Sequence, residues 1–138
     1  MSIELDEFTR AYVECALRSS TDDSDDQGGD PLDENYSIED IHPATLAMMV
    51  LDCRKFQDQN IDLILGKRTA GSKNLEMVCA GQDFWLTRNG HGAGFWDGDW
   101  TTGEELTEAS KKFGEVDLYV GDDKKIYSWR IINLHDFP

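Results

Sequence analysis

Near the start of the chain, Leu5, Phe8, Tyr12, Cys15 and Ala16 recur at three- and four-residue steps. That spacing predicts a helix over residues 5–19, with Asp6 and Glu7 in the first turn, where the helix dipole favours anions. The period then disappears. Residues 20–35, STDDSDDQGGDPLDEN, are acidic and glycine-bearing and predict a loop longer than most connections. Residues 37–40 read as a short helical turn. A second helix starts at Pro43, a residue suited to the first helical position. Its apolar face is Leu46, Met49, Val50, Cys53 and Phe56, continuing to Ile61 and Ile64, and Gly66 ends it. A basic loop (GKRTAGSKN) follows, then a helical turn at residues 75–80, closed by Gly81.

Past Gly81 the pattern reads with a period of two. DFWLTR, residues 83–88, predicts a strand with Phe84, Leu86 and Arg88 on one face. NGHGAG predicts a tight turn, since Asn-Gly favours positive φ, and residues 95–100 the return strand. Thr101 or Thr102 begins a capped helix running through Glu105 to Phe113. Gly114 ends it. Residues 116–120 and 125–132 form a second hairpin around Gly121-Asp122-Asp123. The expected fold class is α+β: N-terminal helices packed on a small antiparallel sheet of about four strands, made of two hairpins with a helix between them. At 138 residues the chain suits a single domain over 1–138, with an acidic loop at about 20–36.

Charge changes this picture most. The chain has 28 Asp and Glu against 13 Lys and Arg, a formal net of −15. Residues 1–40 alone carry a net of −11. A field of that sign repels nucleic acid, attracts the basic surfaces of other proteins and also aids solubility. No apolar run approaches the roughly 20 residues that span a bilayer, and the acidic N-terminus is unlike a secretory signal. Cytoplasmic residence is therefore expected, with no membrane partner. Cys15, Cys53 and Cys79 form no C-x-x-C pair and read as free thiols on apolar faces.

Candidate chemistry is sparse. Asp23, Asp25, Gln27, Gly28 and Glu34 fall at positions 1, 3, 5, 6 and 12 of a calcium loop. Gln27 stands where Asp or Asn is usual, and Asp30 where an apolar residue is usual. Asp23, Asp25 and Glu34 are thus weak metal candidates beside a plainer reading as solvated loop carboxylates. The glycine turn lacks G-x-G-x-x-G spacing, and Gly66-Lys67 lacks both the first glycine and the Ser or Thr of a phosphate loop. His91 could move protons with Arg88 and Asp97 nearby, but no nucleophile or metal set can be assembled, so neither catalysis nor a cofactor is expected. Trp85 and either Phe95 or Trp96 would face away from the core of a four-stranded sheet, where exposed aromatics bind partners.

Three long motifs carry a resemblance. SSTDDSDDQGGDPLDENYSIEDI (residues 19–41), DFWLTRNGHGAGFWD (83–97) and FGEVDLYVGDDKKIY (113–127) resemble a family of small uncharacterised proteins of tailed phages and prophages. The similarity runs from about Phe8 to Tyr127, departs between Ile61 and Gly81, where the basic loop at 66–74 looks like an addition, and does not extend to the residues after Tyr127. It implies a phage or mobile-element origin and no particular activity. Together with the charge it suggests a phage-type accessory protein of the anti-CRISPR or anti-restriction kind. Such a protein would inhibit or modulate a host nucleic-acid-handling or defence protein by mimicking nucleic acid. Its partner would have a basic nucleic-acid-binding surface, with no direct nucleic-acid contact. The expected partner-binding residues are Asp22, Asp23, Asp25, Asp26, Asp30, Asp33, Glu34, Arg88, His91 and Trp96. The alternative is a small ligand- or divalent-metal-binding module using the acidic loop or the NGHGAG turn.

Overall fold

Helix α1 (Glu7–Ser19) begins where Asp6 accepts a hydrogen bond from the Thr9 N–H at 2.8 Å. Burial alone would push the Asp6 carboxyl up, but the bonds from Thr9 and Gln57 hold it below its ordinary range. The structure is a computed structural model and describes residues 4–22, 29–69, 71 and 75–130. Beyond α1 the elements are β1 (Thr21–Asp22), β2 (Asp30–Pro31), α2 (Pro43–Ile64), α3 (Glu76–Arg88), α4 (Gly103–Lys111), β3 (Val116–Val120) and β4 (Ile126–Arg130). Short 3-10 turns sit at Leu32–Glu34, Ile38–Asp40 and Phe95–Asp97. The fold is α+β and mostly helical, with two separate two-stranded antiparallel sheets, β1–β2 and β3–β4.

Helix α2 starts as its sequence implies. His42 Nδ1 accepts from the Ala44 N–H at 3.2 Å, and Pro43 takes the first turn. Its buried face carries Leu46, Met49, Cys53, Phe56 and Ile64. The expected first hairpin is not there. Residues 83–88 continue α3, which runs through Gly81 without a break. Ala80, Gly81, Phe84, Trp85 and Arg88 share one helical face, and burial of that face overrides the short alternating pattern. Gly81 is a packing residue rather than a terminator. It lies against α1, and a methyl there would collide with the Phe8 carbonyl oxygen. Helices α1 and α3 form the most extensive helix pair of the fold.

The expected return strand is also absent. Phe95 and Trp100 are buried, on a 3-10 turn and on a single bridge to Arg68 respectively. Gly94, at φ +153, has no space for a side chain because Thr87 Oγ1 occupies it and accepts the Phe95 N–H at 3.0 Å. A strand there would have lost this cap. Thr102 does stand at the start of α4, but its hydroxyl donates to the Leu63 carbonyl instead of capping the helix. The second hairpin forms, as β3 and β4, with its return strand described over Ile126–Arg130; the expected residues 131 and 132 lie outside the described residues.

Aromatic rings fill the interior. Phe56 stacks on Phe84 at 4.2 Å, with Phe8, Phe95, Tyr12 and Phe113 around them at 5.1 to 6.0 Å. Phe113 is partly buried; each of the other five, fully buried, contributes about 1.5–3 kcal/mol of hydrophobic stabilisation. Among the described residues no helix is long and apolar enough to cross a membrane.

Candidate functional site

The acidic loop is carried on a short stem. Thr21 pairs with Pro31 and Asp22 with Asp30. The Gly29 N–H donates to Asp22 O at 3.0 Å and the Leu32 N–H to Ser20 O at 2.9 Å. Leu32, fully buried, anchors the stem in the core. Asp30, Asp33 and Glu34 are exposed, and their side chains meet no partner among the described residues. Asp22 is half-buried directly opposite Asp30. The stem thus places two carboxylates at one pair of its ladder. Asp23, Asp25 and Asp26 lie outside the described residues. Of the metal candidates only Glu34 is described, and no group of three or more His, Cys, Asp or Glu among the described residues could hold a metal.

Arg88, His91 and Trp96 occupy three different environments. The Arg88 guanidinium is buried. It donates to Asp52 Oδ2 at 2.9 Å, the Tyr12 hydroxyl at 3.0 Å, Gly114 O at 2.8 Å and Phe113 O at 2.9 Å. It thereby ties α1, α2 and the turn that follows α4 to α3. Burial would depress the Arg88 pKa, but Tyr12 and Asp52 more than offset this and raise it. Burial pushes the Tyr12 phenol far above its ordinary range. Trp96 is exposed and lines a shallow cleft of about 400 Å³ with Thr107, Glu108 and Lys111.

His91 lines a different and larger groove, of about 520 Å³. Its walls are residues 19–21 and 115–119, with Trp85 and Asn89. Ser19, Ser20, Glu115 and Asp117 thus share a groove with a histidine, but the His91 side chain makes no hydrogen bond among the described residues. Ser19 Oγ instead accepts from Trp85 Nε1 at 2.7 Å. A nucleophile needs an adjacent base to activate it, and this serine has none in contact. The thiols are no better activated. Burial raises the pKa of Cys15, Cys53 and Cys79, keeping them protonated.

Two features escape a reading of the sequence. One is the Tyr12–Asp52–Arg88 set, whose members are 36 and 76 residues from Arg88. The other is Asp83, whose carboxyl burial and the neighbouring Asp97 and Asp99 push up to about 6 against the opposing bond from Trp100 Nε1. An Arg or Asp on an otherwise apolar helical face is the only signal available for either. Compared with known protein families, curated proteins and solved structures, the chain finds no match in any of the three.

Proposed function

We propose that this is a phage-type accessory protein that binds a basic, nucleic-acid-binding surface of a host protein and blocks or modulates it. The acidic stem and loop stand in for phosphates. One observation carries the reading: Asp30, Asp33 and Glu34 are exposed, unpartnered among the described residues, and held on a stem anchored by buried Leu32. Carboxylates fixed in this way lose less conformational freedom on binding than carboxylates on a free tail. The net charge of −11 over residues 1–40 supplies the long-range attraction. Asp22, with Asp23, Asp25 and Asp26, extends the same charged surface in the sequence. Restriction and CRISPR complexes are the targets that the phage resemblance favours.

Affinity capture from bacterial host lysate, repeated between about 0.05 and about 0.5 M salt, tests this. A nucleic-acid-binding protein should be captured at low salt, displaced by added DNA or RNA and released at high salt. The Asp30→Asn, Asp33→Asn, Glu34→Gln variant should capture far less of it. Capture indifferent to salt, to nucleic acid and to these substitutions would overturn the proposal.

A further inference from the structure

Trp96 is 54% exposed, on the same turn as fully buried Phe95. One ring exposed alone would need no explanation. This one forms a wall of the cleft of about 400 Å³, and both walls are fixed from behind. On the first, Phe95 packs against Phe56 and Trp100 at 5.9 and 5.5 Å, and its N–H donates to Thr87 Oγ1 at 3.0 Å. Trp96 Nε1 lies 3.4 Å from where a Gly94 side chain would begin, so the indole edge packs beside the Gly94 backbone. The second wall is α4. The Thr102 hydroxyl ties its start to Leu63 O, and a methyl at Gly103 would collide with the Phe95 carbonyl oxygen. The helix therefore begins directly against the turn that carries Trp96.

Glu104, Thr107, Glu108 and Lys111 recur at three- and four-residue steps, so they share the face of α4 that lines the cleft. Glu104 and Glu108 are exposed, and neither carboxylate bonds to a donor or pairs with a cation among the described residues. The Thr107 hydroxyl donates to Gly103 O at 2.7 Å, which leaves its oxygen able to accept. Against two carboxylates the described lining carries one cation, Lys111, about a turn beyond Glu108. An anion is repelled from such a cleft. A cation is drawn both to the carboxylates and to the indole face, since tryptophan is the strongest aromatic partner for positive charge. A guanidinium suits it best: it is planar, stacks on a ring and presents a fork of donors that matches a carboxylate. Glu108 also lies in the last turn of α4, where the helix dipole favours positive charge.

We propose that this cleft receives an arginine side chain of a protein partner, with the guanidinium against the Trp96 indole and its N–H groups donating to Glu104 or Glu108. At about 400 Å³ the cleft falls within the roughly 300–1,000 Å³ of ligand sites. This inference stands on the Trp96 cleft and not on the acidic stem.

The probe is the peptide acetyl-Gly-Arg-Gly-amide, with lysine or neutral citrulline in place of the arginine as controls. Each is titrated into the full chain at about 0.15 M salt and followed by NMR at the Trp96 indole N–H and the Thr107 and Glu108 amides. The arginine peptide should shift these signals along a saturating curve. The lysine peptide should bind about twofold more weakly and the citrulline peptide about fivefold. Trp96→Ala, read at the Thr107 and Glu108 amides, should weaken the arginine peptide about threefold or more. Glu104→Gln with Glu108→Gln should weaken it by a similar factor, and Lys111→Glu should tighten it about twofold. All four positions are exposed, so the variants should fold. No saturable shift, equal binding of the arginine and citrulline peptides, binding unchanged in Trp96→Ala, or weaker binding in Lys111→Glu would overturn the proposal. The Asp30→Asn, Asp33→Asn, Glu34→Gln variant should bind the arginine peptide as the parent does, so failure of the stem's proposed role leaves this inference standing.

Discussion

The α1–α3 interior and the acidic stem solve opposite problems with the same residue types. In the interior, the buried Arg88 is answered on every side. Arg88 has Asp52, Tyr12 and two carbonyls of the turn after α4, and the rings of Phe84 and Phe113 lie 5.4 and 5.6 Å from its guanidinium carbon. On the stem, Asp30, Asp33 and Glu34 are left unanswered among the described residues, and Asp22 faces Asp30. Burying a charge without a partner is prohibitive, whereas leaving one in water is cheap. The interior therefore uses charge to fix the relative placement of helices. The stem is free to hold charge for something outside the molecule.

The sharpest way to break this comparison is to remove Arg88. Arg88→Ala leaves Asp52 buried without its cation and two carbonyls without their donor. The expected loss is about 3–5 kcal/mol of unfolding free energy, read from urea denaturation. A loss below about 1 kcal/mol would mean that packing alone sets the helices. Gly81→Ala comes next. Alanine would favour a helix interior by up to about 1 kcal/mol, but its methyl has no room against the Phe8 carbonyl. Separation of α1 from α3 should win, with a net loss of about 1–3 kcal/mol.

These positions also show where sequence reading succeeds. Local signals place α1 to within two residues of its start (expected from Leu5, observed from Glu7 with Asp6 as its cap), and they give the start of α2 at His42-Pro43 and the turn of the β3–β4 hairpin. Each is set by neighbours within a few residues. DFWLTR was misassigned because six residues with two adjacent aromatics fit either period, and the choice is made by α1, some 70 residues away. Gly81 has the same origin: a glycine that ends a helix and one that lets another helix approach are identical in one sequence. The stem was expected only as loop, since its pairing spans residues 23–28 and is fixed by the burial of Leu32.

Asp83 lies between the two regimes, half-buried and bonded among the described residues only to Trp100 Nε1. Its folded pKa of about 6 lies above the ordinary 3.8, so the folded state holds the proton more tightly than the unfolded one. Stability from this group is therefore full below about pH 4 and is lost as the pH rises through 6. Asp83→Asn keeps an acceptor for Trp100 and removes the charge. It should raise stability at pH 7 by about 1 kcal/mol, after discount for partial exposure, and flatten the difference from the parent below pH 4. Thermal melts of both proteins from pH 4 to 8 check this, and parallel curves would place Asp83 outside the burial argument.

The smallest expected effect on stability is the most informative about purpose. The Asp30→Asn, Asp33→Asn, Glu34→Gln variant removes three charges that no described residue neutralises. A carboxylate paired with a buried cation, as Asp52 is with Arg88, would destabilise when treated this way, but here the unfolding free energy should stay within about 0.5 kcal/mol of the parent or rise slightly, more so at low salt. A fall above about 1 kcal/mol would make these carboxylates structural, as Asp52 is, and would end the contrast. Unchanged or improved stability, alongside lost capture of a basic partner, would mean that the stem carries its charge for binding and at the fold's own expense.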